Sequence, residues 1–464
     1  MIGPDELTEA ALGASKADGC IVLLSETSEA NLRWANSTMT TNGHSTSRSF
    51  SVISVVRGSD GSAVGTVSGN GIDLDEVYAV VAASEEAARQ SGVAQDVAPL
   101  VEGPADDDFA APGAATEIGV FARLADELTE VFRASRSSGS GGGHLLYGFA
   151  EHRMETTWLA SSTGLRRRWT QPTGTVELNA KVTGDLARSA WAGAYTADFT
   201  DVDLTAIAAE ARRRLGWSQR RVELPAGRYE TILPPSAVAD LMTYMAWEME
   251  GRPAHEGRSA FSAPGGGTRI GERLTRLPLA LYSDPSAPHL QTSPFLATTA
   301  SSDLVSAFDN GAPVRRVDWL ADGTINALAY PRAAAEEHGA QFTPPPENLL
   351  LTGGSAASVD DLVTRTEHGL LLTCLWYIRA VDPTSLLLTG LTRDGVYLVE
   401  GGEVVGQVNN FRFNESPIDL IRRAGEVGVT ERTLCREWKD WFPRTAMPPI
   451  RVPDFNMSSV SQAS

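Results

Sequence analysis

Alternation of apolar and polar residues with a period of two limits this chain's fold more than any other feature. Leu32, Trp34, Thr38 and Thr40 recur at even spacing, as along one face of a pleated strand. Cys20 to Leu24 reads as a short buried strand before them. Phe50 to Val56 and Ser62 to Val67 follow, parted by the turn residues Gly58-Ser-Asp-Gly61. Helical spacing then takes over: Val77, Val81 and Ala88 share one face of a helix expected from near Asp73, with Gly92 as its C′ glycine. The chain is expected to open β-β-β-β-α.

Val101 to Gly113, rich in Pro, Ala and Gly and carrying Asp106, Asp107 and Asp108, reads as a solvated loop. Ile118, Phe121, Leu124, Leu128 and Phe132 mark a second helix and read as core. Ser137 to Gly143 reads as a flexible connector after it. Alternation returns from His144 to Val182, and a helix from about Asp203 to Leu215 follows Thr200-Asp201 as caps. Arg228 to Leu233 predicts a strand, Pro234-Pro235 breaks it, and Ser236 opens a helix that Gly251 closes. The remainder is mostly strand and turn, with Asp322-Gly323 and Asp394-Gly395 as hairpin turns. The fold class is α+β. At 464 residues the chain exceeds what one core usually serves. Two domains are expected: a mixed sheet-and-helix domain over 1–224 and a strand-rich domain over 225–464.

Composition narrows the function. A formal charge of -19, from 58 acidic and 39 basic residues, opposes a phosphate backbone, and nucleic acid is not an expected partner. The runs Arg166-Arg167-Arg168 and Arg212-Arg213-Arg214 read as solvated faces. Three scattered cysteines, Cys20, Cys374 and Cys435, make no disulfide framework and suit a reducing compartment. The start Met1-Ile-Gly-Pro-Asp-Glu lacks a basic segment followed by an apolar one, and the longest apolar stretch, near Leu370 to Ile378, is too short to cross a bilayer. A cytoplasmic protein with no membrane partner is expected.

A set of short motifs occurs in one order over the second half. They are the helix from Ser236 to Gly251, Gly257-Arg-Ser-Ala-Phe-Ser262, Gly271 leading to Ser283-Asp-Pro285, and Phe308-Asp-Asn-Gly311. Asn348-Leu-Leu-Leu-Thr-Gly-Gly354, Gly369-Leu-Leu-Leu372 and Tyr397-Leu-Val-Glu-Gly-Gly402 complete the set, with Asn31-Leu-Arg-Trp-Ala35 in the first half. Together they resemble the TldD/PmbA family. The resemblance implies a helix bearing His-Glu-x-x-x-His in the catalytic members, whose histidines bind the metal and whose glutamate is the general base. Two anchors, Glu250-Gly251 and the Gly257 to Ser262 motif, give the same register here. In it Met242, Thr243 and Trp247 stand at the His, Glu and His positions. Methionine is a weak soft ligand, threonine is no base near neutral pH, and indole offers no in-plane lone pair. The resemblance also implies a metal-bound cysteine shortly before a Met-Pro pair. Cys435 stands before Met447-Pro448 and reads as a relic of that ligand or a coincidence.

The resemblance therefore implies no catalytic residues and no cofactor in this chain, with zinc in the partner. It implies a PmbA/TldE-like subunit of a heterodimer with a TldD-like metal-bearing chain, acting on unfolded or ribosomally made peptides. Two alternatives stand beside it: a self-sufficient peptidase with an atypical metal site of Cys435 and stray histidines, and a self-associating peptide-binding protein. His255-Glu256 with His289, His338 or His368 is the candidate for such a site, although the seven histidines contain no i, i+4 pair. Met242, Met245 and Met249 read as core, and Cys374 as a small buried hydrophobe. The cluster Gly265-Gly-Gly-Thr-Arg-Ile-Gly271 lacks the ending of a phosphate loop, and nothing singles out Asp360-Asp361 or Asp106 to Asp108 as paired catalytic acids. Gly139-Ser-Gly141 is no nucleophile elbow.

Overall fold

The computed structural model describes residues 2–71, 73–136 and 143–461; of the Ser137 to Gly143 connector only Gly143 lies within them, and Gly139-Ser-Gly141 lies outside. The chain opens with α1 (Pro4–Ala14), which the alternation did not reveal. Pro4 in the first turn with Asp5 and Glu6 beside it is the local sign of such a start. Three strands follow, β1 (Gly19–Ala35), β2 (Thr38–Arg57) and β3 (Ser62–Gly69), then α2 (Leu74–Gln90). The observed order is thus α-β-β-β-α. Asn36 and Ser37 adopt φ of 53° and 54°, a two-residue reversal that puts Leu32 and Trp34 on β1 but Thr38 and Thr40 on β2. Asp73 caps α2 by accepting from the Glu76 amide at 2.9 Å. The helix ends at Ser91 rather than through a left-handed Gly92.

After a 3-10 turn at Ile118–Phe121 come α3 (Ala122–Arg136), β4 (His144–Ser161), β5 (Arg166–Val182), β6 (Asp185–Thr196) and α4 (Leu204–Trp217). Asp203, not Thr200-Asp201, caps α4, accepting from the Ala206 amide at 2.8 Å; Asp201 instead pairs with Arg432. The six strands form one antiparallel sheet in the order β3-β2-β1-β4-β5-β6. Period two divides its faces. Cys20, Val22, Leu24, Ala30, Leu32 and Trp34 of β1 lie in the cores built with the four helices. Ile21 and Leu23, one residue out of phase, pack with Phe295 and Ala307 of the second half.

The second half holds two sheets. Six short strands run from Thr324–Ile325 at one edge to Glu431–Thr433 at the other. The ten-stranded sheet has Leu375–Asp382 at one edge, Gly227–Leu233 and Ile450–Val460 near its centre, and Arg221–Val222 at the far edge. Arg221–Val222 lies before residue 224 yet pairs with Glu403–Val408 of this sheet. Leu281 and Leu351 from the smaller sheet and Leu370, Phe411 and Phe455 from the larger share one core with the helix α5 (Pro235–Trp247). Asp322-Gly323, at φ of 47° and 72°, makes the expected hairpin between Val317–Ala321 and Thr324–Ile325. Asp394-Gly395 does not. The strands on either side of it pair elsewhere, so it marks a crossing within the large sheet, with Gly395 at φ 143°.

Candidate functional site: a buried helix and its acid–thiol pair

Pro235 supplies the fixed φ of a first helical turn, and Ala237, Ala239, Leu241, Met242, Met245 and Ala246 follow with few β-branched interruptions. A helix apolar on all sides must be buried, and Pro235 to Thr243 are buried throughout. The helix ends at Trp247. Gly251 does not close it but opens a short helix over Gly251–His255. A Cβ on Gly251 would lie 2.0 Å from the Tyr330 ring, so close packing accounts for the glycine.

Among these residues Asp240 is the lone charged side chain, and it is fully buried. Its Oδ1 accepts from the Cys435 thiol at 3.1 Å and from the Glu437 amide at 2.9 Å, while Oδ2 has no hydrogen-bond partner. Burial pushes the carboxyl up to about 7, against the lowering effect of those two donors. Burial and the adjacent carboxyl push the Cys435 thiol well above its ordinary value, so it stays protonated at neutral pH. The same sulfur lies 3.7 Å from the Thr243 hydroxyl.

The three residues that the resemblance sets against the His-Glu-x-x-x-His motif meet different fates. Met242 is wholly buried in the core shared by the two sheets. Thr243 faces Cys435. Trp247 sets its ring edge-on to Trp438 at 5.1 Å, with Phe442 at 6.2 Å and Tyr244 at 6.3 Å. Zinc requires convergent deprotonated ligands, usually four. Here a protonated thiol, one carboxyl, a hydroxyl, a core thioether and an indole stand in their place, so these residues do not fit the metal.

The structure does bring two of the candidate histidines together, each the last residue of a short helix. His255 and His338 stack with ring centroids 4.1 Å apart and planes 5° from parallel, and His255 Nε2 lies 3.1 Å from the Tyr330 hydroxyl. Lone pairs in parallel planes point alongside one another rather than at a common ion. Among the described residues no three His, Cys, Asp or Glu side chains gather as a metal-binding group.

Other candidates resolve into structure. Arg167 pairs with Asp106 at 3.0 Å and Arg168 with Asp108 at 2.8 Å, so one basic run neutralises the acidic loop. Arg213 bridges Glu210 and Asp360, Arg214 bonds Glu210, and Asp361 closes a capping box with Ser358. Cys374 sits with Trp191, Tyr195 and Leu434, its thiol pushed up to about 11 by burial. Gly265, Gly266, Gly267 and Gly271 all take positive φ, as a loop does. Sequence reasoning missed the Asp240–Cys435 pair. Its one local signal is an acid in an otherwise apolar helix. It also missed a cleft of about 660 Å³ bounded by β6, α4, Pro235-Ser236 and Glu431–Thr433.

Fold and site together define an α+β protein of three sheets whose buried helix over Pro235–Trp247 serves packing. Three domain models of PmbA/TldA metallopeptidases match in order: domain 1 over residues 20–88, the central domain over 112–219 and the C-terminal domain over 226–459. The chain belongs to the PmbA/TldD family. TldE from Thermococcus kodakarensis superposes with a TM-score of 0.78 at 14% identity, covering 97% of this chain and 99% of that one. A Thermotoga maritima protein named as a modulator of a DNA gyrase gives 0.76 at 16% identity, with the same coverages of 97% and 99%. A Bacteroides thetaiotaomicron protein of similar name gives 0.74 at 14%, covering 98% of each chain. No curated protein sequence matches. At these identities the structures speak to fold alone. Among the described residues no helix is long and apolar enough to cross a membrane.

Proposed function

We propose that this chain is a non-catalytic subunit of a metallopeptidase heterodimer. It completes the peptide cleft of a family member that carries His-Glu-x-x-x-His and its zinc, and the pair acts on unfolded or ribosomally made peptides. The observation that carries the reading is the use made of the motif positions: Met242 fills core, Thr243 faces a protonated Cys435, and Trp247 packs edge-on against Trp438. A chain that keeps the whole architecture but packs away its ligand positions contributes shape rather than chemistry. The proposal takes 1–224 and 225–464 as the two domains, and the cytoplasm as a compartment that keeps its three cysteines free.

Two measurements test it. Protein purified alone should hold far less than one zinc per chain and show no chelator-sensitive peptidase activity. Stoichiometric zinc, lost together with activity in Cys435→Ser, would establish the atypical-peptidase alternative instead. Co-expression with a chain of the family bearing the intact motif should give a 1:1 complex or a small multiple of it, with hydrolysis only in the mixture. Changing the partner's motif glutamate should abolish hydrolysis, and Met242→His or Trp247→His here should restore none. If every such chain elutes separately and cuts peptides equally well without this one, the subunit reading fails.

A further inference from the structure

An exposed aromatic surface lies beside the end of α5. Trp441 is 72% exposed, Tyr377 55%, Val381 54% and Trp376 38%. Single exposed apolar residues are ordinary; several large ones on one strand and the turn next to it mark a contact surface. Trp376, Tyr377 and Val381 belong to Leu375–Asp382, the outermost strand of the ten-stranded sheet. Trp441 joins them through Trp438, 6.4 Å away between ring centroids. Trp438 in turn packs on Tyr244 at 5.7 Å, and Tyr244 reaches the backbone of Ala380. The surface is thus continuous with the aromatic cluster that holds Trp247.

A bulge creates this presentation. Trp376 pairs with Leu391 but Arg379 with Thr389, which leaves one extra residue on the edge strand, and Tyr377 takes φ 57°. Trp376 and Tyr377 are both exposed instead of alternating. A bulky residue at positive φ costs roughly 1–2 kcal/mol, a strain found where an unusual presentation is needed.

Three kinds of occupant are conceivable, and the surroundings select one. An extended peptide would need the free edge of the strand, but at the bulge Glu437 accepts from the Ile378 amide at 3.0 Å and also takes the Tyr377 amide, so the donors beside the aromatic residues are already engaged. A second copy would meet this face across a two-fold axis. Arg379 lies over Tyr377 at 4.5 Å and Arg393 over Trp376 at 5.7 Å; their carboxylate neighbours stand at 3.8 Å on Glu437 and 3.6 Å on Asp394, and Arg379 also donates to the Ile378 carbonyl at 2.6 Å. Self-pairing would bring these guanidinium groups against their own copies. A different folded chain, with an apolar patch rimmed by carboxylates, meets neither obstacle.

We propose that the Trp376, Tyr377, Val381 and Trp441 surface docks the metal-bearing partner subunit. The inference rests on the subunit reading above and goes further by naming the face and its chemistry. It also places the partner next to the helix whose ligand positions are packed away.

The test measures dissociation constants between this chain and a family member carrying His-Glu-x-x-x-His. Trp441→Ser with Val381→Asp should weaken the complex at least tenfold. Arg379→Glu should weaken it more at low salt than at high salt. Leu186→Asp, at an exposed apolar residue of β6, should leave it unchanged. These side chains are exposed, so thermal unfolding should shift little; if Val381→Asp unfolds the chain, Trp441→Ser alone carries the test. A wild-type complex that the double variant does not weaken overturns the docking face and leaves the subunit reading standing. Absence of any wild-type complex overturns both. A double variant that alters only self-association, or only affinity for an extended peptide, assigns the face to that occupant and overturns this one.

Discussion

Cys435 donates its thiol hydrogen to Asp240 across 3.1 Å, although 195 residues separate the two along the chain. The contact pins the C-terminal segment to α5 at the level of Thr243. A thiol donating to a carboxyl is the reverse of a thiolate donating to zinc. The pair therefore has a structural reading that a titration can check.

Asp240 supplies that check. Its folded value of about 7 stands above the ordinary aspartate value of about 4, so between these limits the folded chain holds a proton that the unfolded chain has released. Stability must then fall as pH rises from about 4 to about 7 and carry the full penalty of an ionised buried carboxylate above that. Asp240→Asn removes this dependence. The wild-type melting temperature minus that of the variant, followed from pH 4 to 9, should decline with rising pH and level off above about 7. A flat difference would show that Asp240 ionises at its ordinary value.

Gly251 yields a steric prediction next to the same helix. Its missing side chain makes room for the Tyr330 ring, which a Cβ would approach to 2.0 Å. Gly251→Ala should cost about 1–3 kcal/mol in urea unfolding, as overpacking does. Adding Tyr330→Leu should return part of the loss even though it removes the hydroxyl that meets His255. A fully additive double variant would mean that the two residues do not compete for this space.

Much of the fold could be read locally, because the signals involved are local. Asp73 before an amphipathic run is a cap wherever it occurs, and Asp322-Gly323 carries the positive φ that a tight hairpin needs. The failures share a cause. Asp394-Gly395 has the same turn chemistry, but whether the flanking strands pair with each other is decided by the sheet, which interposes others. Asn36-Ser37 reverses the chain without a glycine, so one face of alternation read across two strands. At the site, the resemblance pointed to α5 and to Cys435 separately. The carboxyl that joins them has no motif, since its meaning arises only when residues 240 and 435 meet.

Arg436 offers the most demanding prediction. Its guanidinium lies between the rings of Trp191 and Trp376, at 5.4 Å and 5.1 Å, and it bonds Asp394 at 2.9 Å, both partners being under a tenth exposed. Asp394 also accepts from Ser189 of β6, so the pair joins the first sheet to the second half. A buried pair of this kind is worth little against an apolar replacement of both partners, whereas removing Arg436 leaves the buried Asp394 charge with only the longer ion-pair contact to Arg393 at 3.6 Å. Arg436→Met should therefore cost about 3–5 kcal/mol in urea unfolding. Arg436→Met with Asp394→Asn should cost clearly less than the single change, a coupling that packing loss alone cannot produce. Equal losses in the single and double variants would mean that Asp394 is solvated once Arg436 is gone, and that Trp191 and Trp376 rather than the ion pair hold the two parts together.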